Sequence, residues 1–300
     1  MTKSSPLIFE NSHDDGSIAA LQMLVSDIFT WELLYQLSQF AIKVAFMKYP
    51  KLIVTNKVNK DDAKTTLIQR GPSYIVSFVH SLYVMARGFM HLYSLWDASN
   101  IDKLYNAQDG GYRAAHLEVA RTNILFLGYL LYDMIHILAQ FPKLGGFDTI
   151  MHHLLFAFCS VINGTYGIMP FQFGWLITGE VSTIFLNWRW FLLKSGRDKG
   201  SLIENINIMF AASFFFSRIV LYTAGIVHLY IFSMSELKSL SSLEVSGVPL
   251  AALGATCGCM ILGWVLNIFW GIKILSKVAR KDAKVAVADT VGKKRRAKRD

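Results

Sequence analysis

Long apolar runs recur along this chain of 300 residues, and each is broken from the next by short polar stretches. The runs reach about 20 residues, the length that an α-helix needs to cross the hydrocarbon of a bilayer. Transmembrane β-strands would show alternating patterns in shorter segments, and such segments are not seen. The pattern predicts an all-α, polytopic membrane bundle of about seven spans: 20–48, 72–96, 122–141, 149–169, 171–193, 203–232 and 248–276.

Proline and glycine mark the tightest turns between these spans. Pro142 and Gly145-Gly146 lie between the third and fourth spans, and Pro170 separates the fourth from the fifth. Helices joined by such short turns must pack as antiparallel neighbours. The first span is less regular, and the pattern leaves open whether residues 18–30 cross the membrane or lie on its surface.

Lysine and arginine predict the orientation of the bundle. They concentrate in the loop 48–70, the loop 194–200 and the tail 277–300. Loops rich in these residues stay on the cytosolic side, so seven spans place the N-terminus outside and the C-terminus in the cytosol. The tail is either a disordered basic anchor on anionic headgroups or a retrieval signal of the endoplasmic reticulum, and both interpretations stay open.

These features divide the chain into three parts. Residues 1–70 hold the first span and a basic loop, 71–276 form the main transmembrane domain, and 277–300 form the basic tail. Although the formal net charge is +9, the excess lies in a short tail, so nucleic-acid binding is not expected. No metal-ligand triad at helical spacing appears, and no metal or cofactor is expected.

Polar residues inside the spans recur at helical spacing and so form stripes. Hydrocarbon cannot solvate such groups, so we expect the stripes to face one another around a shared polar cavity. Oppositely charged residues should pair there, with Asp133 and Glu180 balancing Arg87 and Arg218. The candidate site residues are His80, Arg87, Asp133, His136, His152, His153, Glu180, Thr183, Asn187, Arg189 and Arg218.

The order of these residues resembles the TLC domain, which is shared by translocating-chain-associated membrane proteins and ceramide synthases. The resemblance rests on Gly-Tyr…Asp133, a Pro/Gly turn, His152-His153, the run from Glu180 through Ser-Thr and Asn-x-Arg-Trp, and Arg218 in the next span. Ceramide synthases carry an acidic His-Asp-x-x-x-Asp-type segment where this chain has the single acid Glu180. The sequence therefore resembles the branch outside the synthases, whose members are linked to membrane lipid composition.

The resemblance also implies a candidate catalytic group. In ceramide synthases the His pair takes part in N-acyl transfer from acyl-CoA to a sphingoid base, and its counterparts here are His152 and His153. Either histidine could act as the base, oriented by Asp133, with the arginines or Asn187 stabilising the oxyanion. Adjacent helical residues point about 100° apart, so one histidine should serve the site while the other supports packing.

Three hypotheses stay open. The protein binds or regulates membrane lipid through the polar cavity, acts as an acyl-CoA-dependent N-acyltransferase, or is a non-enzymatic scaffold or trafficking factor. The first two require His153, Asp133 and Glu180 to share one cavity. We expect a location in the endoplasmic reticulum or another endomembrane, and Gly254-x-x-x-Gly258 permits close helix contact within the bundle or in a homodimer.

Overall fold

A computed structural model describes residues 15–55, 59–104, 112–233 and 249–296, and these residues form helices joined by short turns, with no strand among them. The architecture is therefore the all-α bundle that the hydrophobic pattern predicts. The α-helices are α1 Asp15–Lys48, α2 Pro50–Ile53, α3 Lys60–Ser94, α4 Asn100–Leu104, α5 Arg113–Ala139, α6 Phe147–Tyr166, α7 Pro170–Thr178, α8 Val181–Lys194, α9 Ser201–Phe214, α10 Tyr222–His228 and α11 Leu250–Arg296.

Within the described ranges, five helices are long and apolar enough to cross a bilayer, judged by length and composition. They lie on α1, α3, α5, α11 and the continuous helical segment 201–231. The fourth and fifth predicted spans lie on the shorter helices α6, α7 and α8. The protein is thus a polytopic helical membrane protein, while the count of seven crossings and the outside position of the N-terminus stay predictions.

The start of α3 is set by its capping residue. The Oδ1 atom of Asn59 accepts hydrogen bonds from the backbone N–H groups of Asp61 and Asp62. Both acids also favour the positive end of the helix dipole. The helix consequently begins at Lys60, inside the predicted loop 48–70, and that loop is shorter than the sequence suggested.

The turn between α6 and α7 follows the glycine and proline pattern. Gly167 ends α6 with φ +61°, a left-handed conformation that glycine adopts without steric cost. Met169 also has a positive φ, and its N–H donates to the carbonyl of Leu104. Pro170 then occupies the first turn of α7, where a missing N–H costs nothing. The prediction that Pro170 separates these helices is confirmed.

The fifth predicted span, 171–193, is broken in the middle, whereas the sequence predicted one helix. Helix α7 ends at Thr178 and α8 begins at Val181, with Gly179 and Glu180 between them. The Gly179 carbonyl accepts a hydrogen bond from the hydroxyl group of Ser182 at 3.2 Å. This side chain supplements the long backbone hydrogen bond of 3.5 Å that the same carbonyl accepts from the Ser182 N–H.

Close packing around α3 depends on glycine. A β-carbon at Gly88 would lie 2.8 Å from the carbonyl oxygen of Gly174 on α7. The two helices can approach this closely only because neither side chain intervenes. Helix α3 also packs against α1, α5 and α8, so it occupies the centre of the bundle.

The sixth predicted span contains an irregular segment. Helix α9 continues into the π-helical segment Phe215–Leu221 and then into α10. The wider turn buries Ser217 and Arg218 side by side. Single-turn π-helices are rare and often occur at functional sites.

The last helix differs from the sequence-based expectation at its C-terminal end. Helix α11 continues to Arg296, so the part of the predicted tail up to that residue is helical and not disordered. The first 14 residues and the last four, 297–300, lie outside the described residues. Gly254 and Gly258 have no described atom within 4 Å of an added β-carbon, so the described bundle makes no close contact there.

Candidate functional site

A small cavity lies between α5, α6, α7, α11 and the segment that carries Arg218. Its volume is about 30 Å³, which is enough for one or two water-sized groups. Aromatic and aliphatic side chains form most of its wall. The polar side chains that line it are His152, Ser160, Asn163, Glu180, Arg218, Tyr222 and Asn267.

An ion pair closes one side of this cavity. The Nη2 atom of Arg218 lies 2.7 Å from Oε1 of Glu180, and the two side chains are 10% and 16% exposed. Arg218 also donates from Nε to the hydroxyl oxygen of Ser182 and from Nη2 to that of Thr183. The break at Gly179 supplies the carboxylate and the π-helical segment supplies the guanidinium. A buried charge pair is tolerated when such additional hydrogen bonds satisfy it.

His152 is the histidine that reaches the cavity. Its ring contacts those of His153, Phe156 and Trp270, with centroid distances of 5.6, 4.6 and 5.3 Å. It makes no hydrogen bond to a described residue, so both ring nitrogens remain available to a bound group. The arrangement can therefore offer a hydrogen-bond donor and an acceptor beside the Glu180–Arg218 pair.

His153 lies behind His152 and is held at both ring nitrogens. Nε2 lies 2.9 Å from Oδ2 of Asp133, and Nδ1 lies 2.9 Å from the carbonyl oxygen of Thr149. A carbonyl only accepts hydrogen bonds, so Nδ1 must carry a hydrogen and donate it. The pair joins α5 to α6 and fixes the position of the neighbouring His152.

This arrangement corrects the expectation that His153, Asp133 and Glu180 line one cavity. Glu180 lines it with His152, whereas His153 and Asp133 do not. Both site hypotheses fail in the form that required this shared cavity, and any lipid-binding or acyl-transfer site must instead be built on His152, Glu180 and Arg218, which do line one cavity. The expectation that the two histidines divide their roles agrees with the geometry, because one faces the cavity and the other is bound by an acid.

Three further candidate residues lie away from the cavity. Arg87 forms an ion pair with Glu118 at 2.6 Å, so the prediction that Arg87 pairs with Asp133 or Glu180 is wrong. His136 pairs with Glu32 at 2.8 Å. His80 is buried and stacks on the ring of Tyr129. The sequence predicted none of these neighbours. Arg87 and His136 are each paired with an acid, whereas the Nδ1 atom of His80 is buried without a hydrogen-bond partner among the described residues.

Asn187 and Arg189 act as links between helices in this structure. The amide of Asn187 donates to the hydroxyl oxygen of Ser77, which joins α8 to α3. Arg189 donates from Nε to Oδ1 of Asn207 at 2.7 Å, which joins α8 to α9. Their side chains do not line the cavity.

The last helix contributes a side chain to the cavity that the sequence-based predictions did not include. Asn267 on α11 is 3% exposed and lines the cavity, as does Asn163 near the end of α6. An amide in the middle of an apolar span was the available signal, because a polar group there needs a partner. The described residues contain no group of three or more potential metal ligands from His, Cys, Asp and Glu.

The fold defines a polytopic helical membrane protein with a small polar cavity inside its helical bundle. Residues 72–276 match the TLC domain, which covers more than half of the chain, and the protein belongs to the TLC domain family. TLC domain-containing protein 4-B of Danio rerio is 31% identical over 231 residues, covering 74% of this chain and 77% of the relative.

Two further relatives carry the same or a nearly identical name. TLC domain-containing protein 4-B of Xenopus laevis is 31% identical over 213 residues, covering 67% of this chain and 71% of the relative. TLC domain-containing protein 4 of Homo sapiens is 29% identical over 206 residues, with the same coverage of 67% and 71%. These relatives are not ceramide synthases, which confirms the resemblance to the branch outside the synthases. No solved structure gives a significant match to the chain.

Proposed function

We propose that the protein binds the polar head of a membrane lipid in the cavity beside Glu180 and Arg218 and so takes part in membrane lipid homeostasis. The observation that supports this proposal is the convergence of His152, Glu180 and Arg218 on one cavity inside the helical bundle. Three separate segments supply these groups, namely α6, the break between α7 and α8, and the π-helical segment Phe215–Leu221. Purely structural polar residues would be expected to satisfy one another without leaving a cavity between them.

The chemistry of the cavity favours a neutral or zwitterionic head group. The charge of Arg218 is balanced by Glu180, so the lining offers no unpaired charge for a free phosphate. His152 and Asn267 can both donate and accept hydrogen bonds, which suits hydroxyl, amide or amine groups. The volume of about 30 Å³ admits only the tip of a head group, so the acyl chains remain in the surrounding bilayer.

N-acyl transfer is the second candidate, and the unbonded ring of His152 is the observation that favours it. In this reaction His152 would take a proton from the amine, whose nitrogen attacks the thioester carbonyl of acyl-CoA. Arg218 or Asn267 would stabilise the oxyanion, and the coenzyme A thiolate would leave and recover the proton. His153 and Asp133 would position His152 without touching the substrates.

Co-purification of lipid tests the first proposal. Full-length protein purified in mild detergent should retain a lipid that mass spectrometry identifies, and His152→Gln should reduce its occupancy at least several-fold. His136→Gln is the matched control, because His136 also lies beside a carboxylate but outside the cavity. Equal lipid retention by wild type and His152→Gln would contradict binding at this site.

Incubation of the same preparations with labelled acyl-CoA and a long-chain amine or sphingoid base tests the second candidate. Amide formation by wild type that is lost in His152→Gln and kept in His136→Gln would establish the acyltransferase. Lipid retention without turnover would leave the binding function standing alone. A protein with neither property would be a scaffold or trafficking factor, and we propose the endoplasmic reticulum or a related endomembrane as the location for all three.

A further inference from the structure

A second cavity lies at the other end of α5 and α6 and contains polar atoms that no described residue satisfies. Its volume is about 30 Å³, and His116, Asn123, Asn163 and Phe173 form part of its wall. Asn163 and Phe173 also line the first cavity, so they form the partition between the two. His116 and Asn123 belong to the second cavity alone.

The unsatisfied atoms lie on deeply buried side chains. His116 is 3% exposed and Asn123 is 4% exposed. Neither ring nitrogen of His116 has a hydrogen-bond partner, and Oδ1 of Asn123 has none. Leaving such groups unpaired in a dry site is costly, so a bound group that pairs with them would be strongly favoured.

The orientation of the Asn123 amide is fixed by its neighbour. Nδ2 donates to the carbonyl oxygen of Ser160 at 2.8 Å. A carbonyl cannot donate in return, so the oxygen of the amide must be the atom left free. The cavity therefore presents an acceptor at Asn123 and, at a neutral His116, one donor and one acceptor.

These atoms define the chemistry of the ligand. No Asp, Glu, Lys or Arg side chain is among the described residues that line the cavity, so neither an ammonium nor a phosphate finds an opposite charge. A hydroxyl group both donates and accepts and carries no charge, and it fits both positions. Residues seven apart on a helix lie about 10 Å apart along its axis, so one hydroxyl cannot bond to both side chains.

We propose that this second cavity binds two hydroxyl groups, one at His116 and one at Asn123. They come either from two water molecules or from a lipid head that carries two hydroxyl groups. The volume agrees with this number, because each water-sized group needs about 10–15 Å³ of such space. The site is independent of the proposed function, since it uses neither His152 nor the Glu180–Arg218 pair.

Radiolytic labelling of the full-length protein in lipid nanodiscs tests for water. A short X-ray pulse converts water in the cavity to hydroxyl radicals, which oxidise adjacent side chains. His116 should be oxidised, whereas His80 should not. His80 is the matched control, because it is equally buried at 2% exposure and lines neither cavity.

Photo-crosslinking in the same nanodiscs tests for the lipid source. A monoacylglycerol with a diazirine near its head should attach within residues 113–123, and the same lipid with both hydroxyl groups methylated should not. Crosslinking identifies the lipid head as the ligand, and oxidation of His116 without crosslinking identifies water. Neither oxidation nor hydroxyl-dependent crosslinking would overturn the proposal.

A pair of substitutions gives an additional measurement. His116→Phe removes the imidazole to which one of the two hydroxyl groups bonds, so the Tm in nanodiscs should fall by about 2–4 °C, the shift that corresponds to about 1 kcal/mol in a chain of this size. His80→Phe keeps the stacking on Tyr129 and should leave the Tm unchanged or raise it. A rise in Tm for His116→Phe would contradict the site, because removing unpaired polar atoms from a dry cavity stabilises the fold.

Discussion

Two arginine–carboxylate ion pairs in this protein have the same chemistry but differ in how far their side chains are exposed. The Arg218 and Glu180 side chains are 10% and 16% exposed, whereas those of Arg87 and Glu118 are 17% and 43% exposed. Glu118 is also shared with Arg121, whose side chain is 66% exposed. The first pair borders a cavity inside the bundle, and the second joins α3 to the first turns of α5.

The difference shows which charged pairs in a membrane protein indicate a functional site. A pair near a helix end can reach water or headgroups and needs no special arrangement. A pair in the interior persists only when hydrogen bonds from neighbours satisfy it, as Ser182 and Thr183 do here. The chain breaks one helix at Gly179 and widens another at Arg218 to build the interior pair. For this reason we assign the candidate function to the region around Glu180 and Arg218.

Removing one arginine from each pair should give the largest contrast. Arg218→Met leaves Glu180 buried without its partner, so we expect a loss of about 3–5 kcal/mol in the free energy of unfolding. Arg87→Met leaves an acid that is still exposed and still paired with Arg121, so the loss should be nearer about 1 kcal/mol. Reversible denaturation in mixed micelles measures both, and equal losses would show that the interior pair is hydrated like the outer one.

The hydroxyl group of Ser182 should matter less than the arginine it contacts. Ser182→Ala removes an acceptor from Nε of Arg218, and we expect a loss of about 1–2 kcal/mol because the donor remains buried. Ser213→Ala is the control, since its hydroxyl bonds only to backbone carbonyls of its own helix. The same denaturation experiment applies, and a loss no greater than that of the control would mean that water replaces the serine.

The salt dependence of the free energy of unfolding should also distinguish the two pairs, and this is the smallest of the expected effects. Arg121→Ala at low ionic strength should cost no more than about 0.5 kcal/mol, and the cost should vanish in 1 M KCl because exposed pairs are screened. The cost of Arg218→Met should stay nearly constant over the same range. A strong salt dependence of the interior pair would indicate that the cavity is open to the aqueous phase.

The sequence indicated the helical class, the inward direction of the polar stripes and the turn at Pro170. These features depend on local spacing and on the length of apolar runs, both of which are properties of neighbouring residues. Motif order also indicated the TLC domain, because Asp133, the His pair and Arg218 occur in a fixed succession. The candidate residues at the cavity, namely His152, Glu180 and Arg218, could all be named in this way.

The choice of partners was decided by the tertiary structure. Asp133 pairs with His153, and Arg87 pairs with Glu118. Which polar stripes touch depends on how each helix is rotated about its axis and how deep it lies in the bundle. The spacing of residues along one helix gives neither its rotation nor its depth. The break at Gly179, the π-helical turn at Arg218 and the approach of Asn267 likewise depend on contacts between distant segments. The sequence thus specified which groups must avoid lipid, and only packing between helices determined which of them border a cavity.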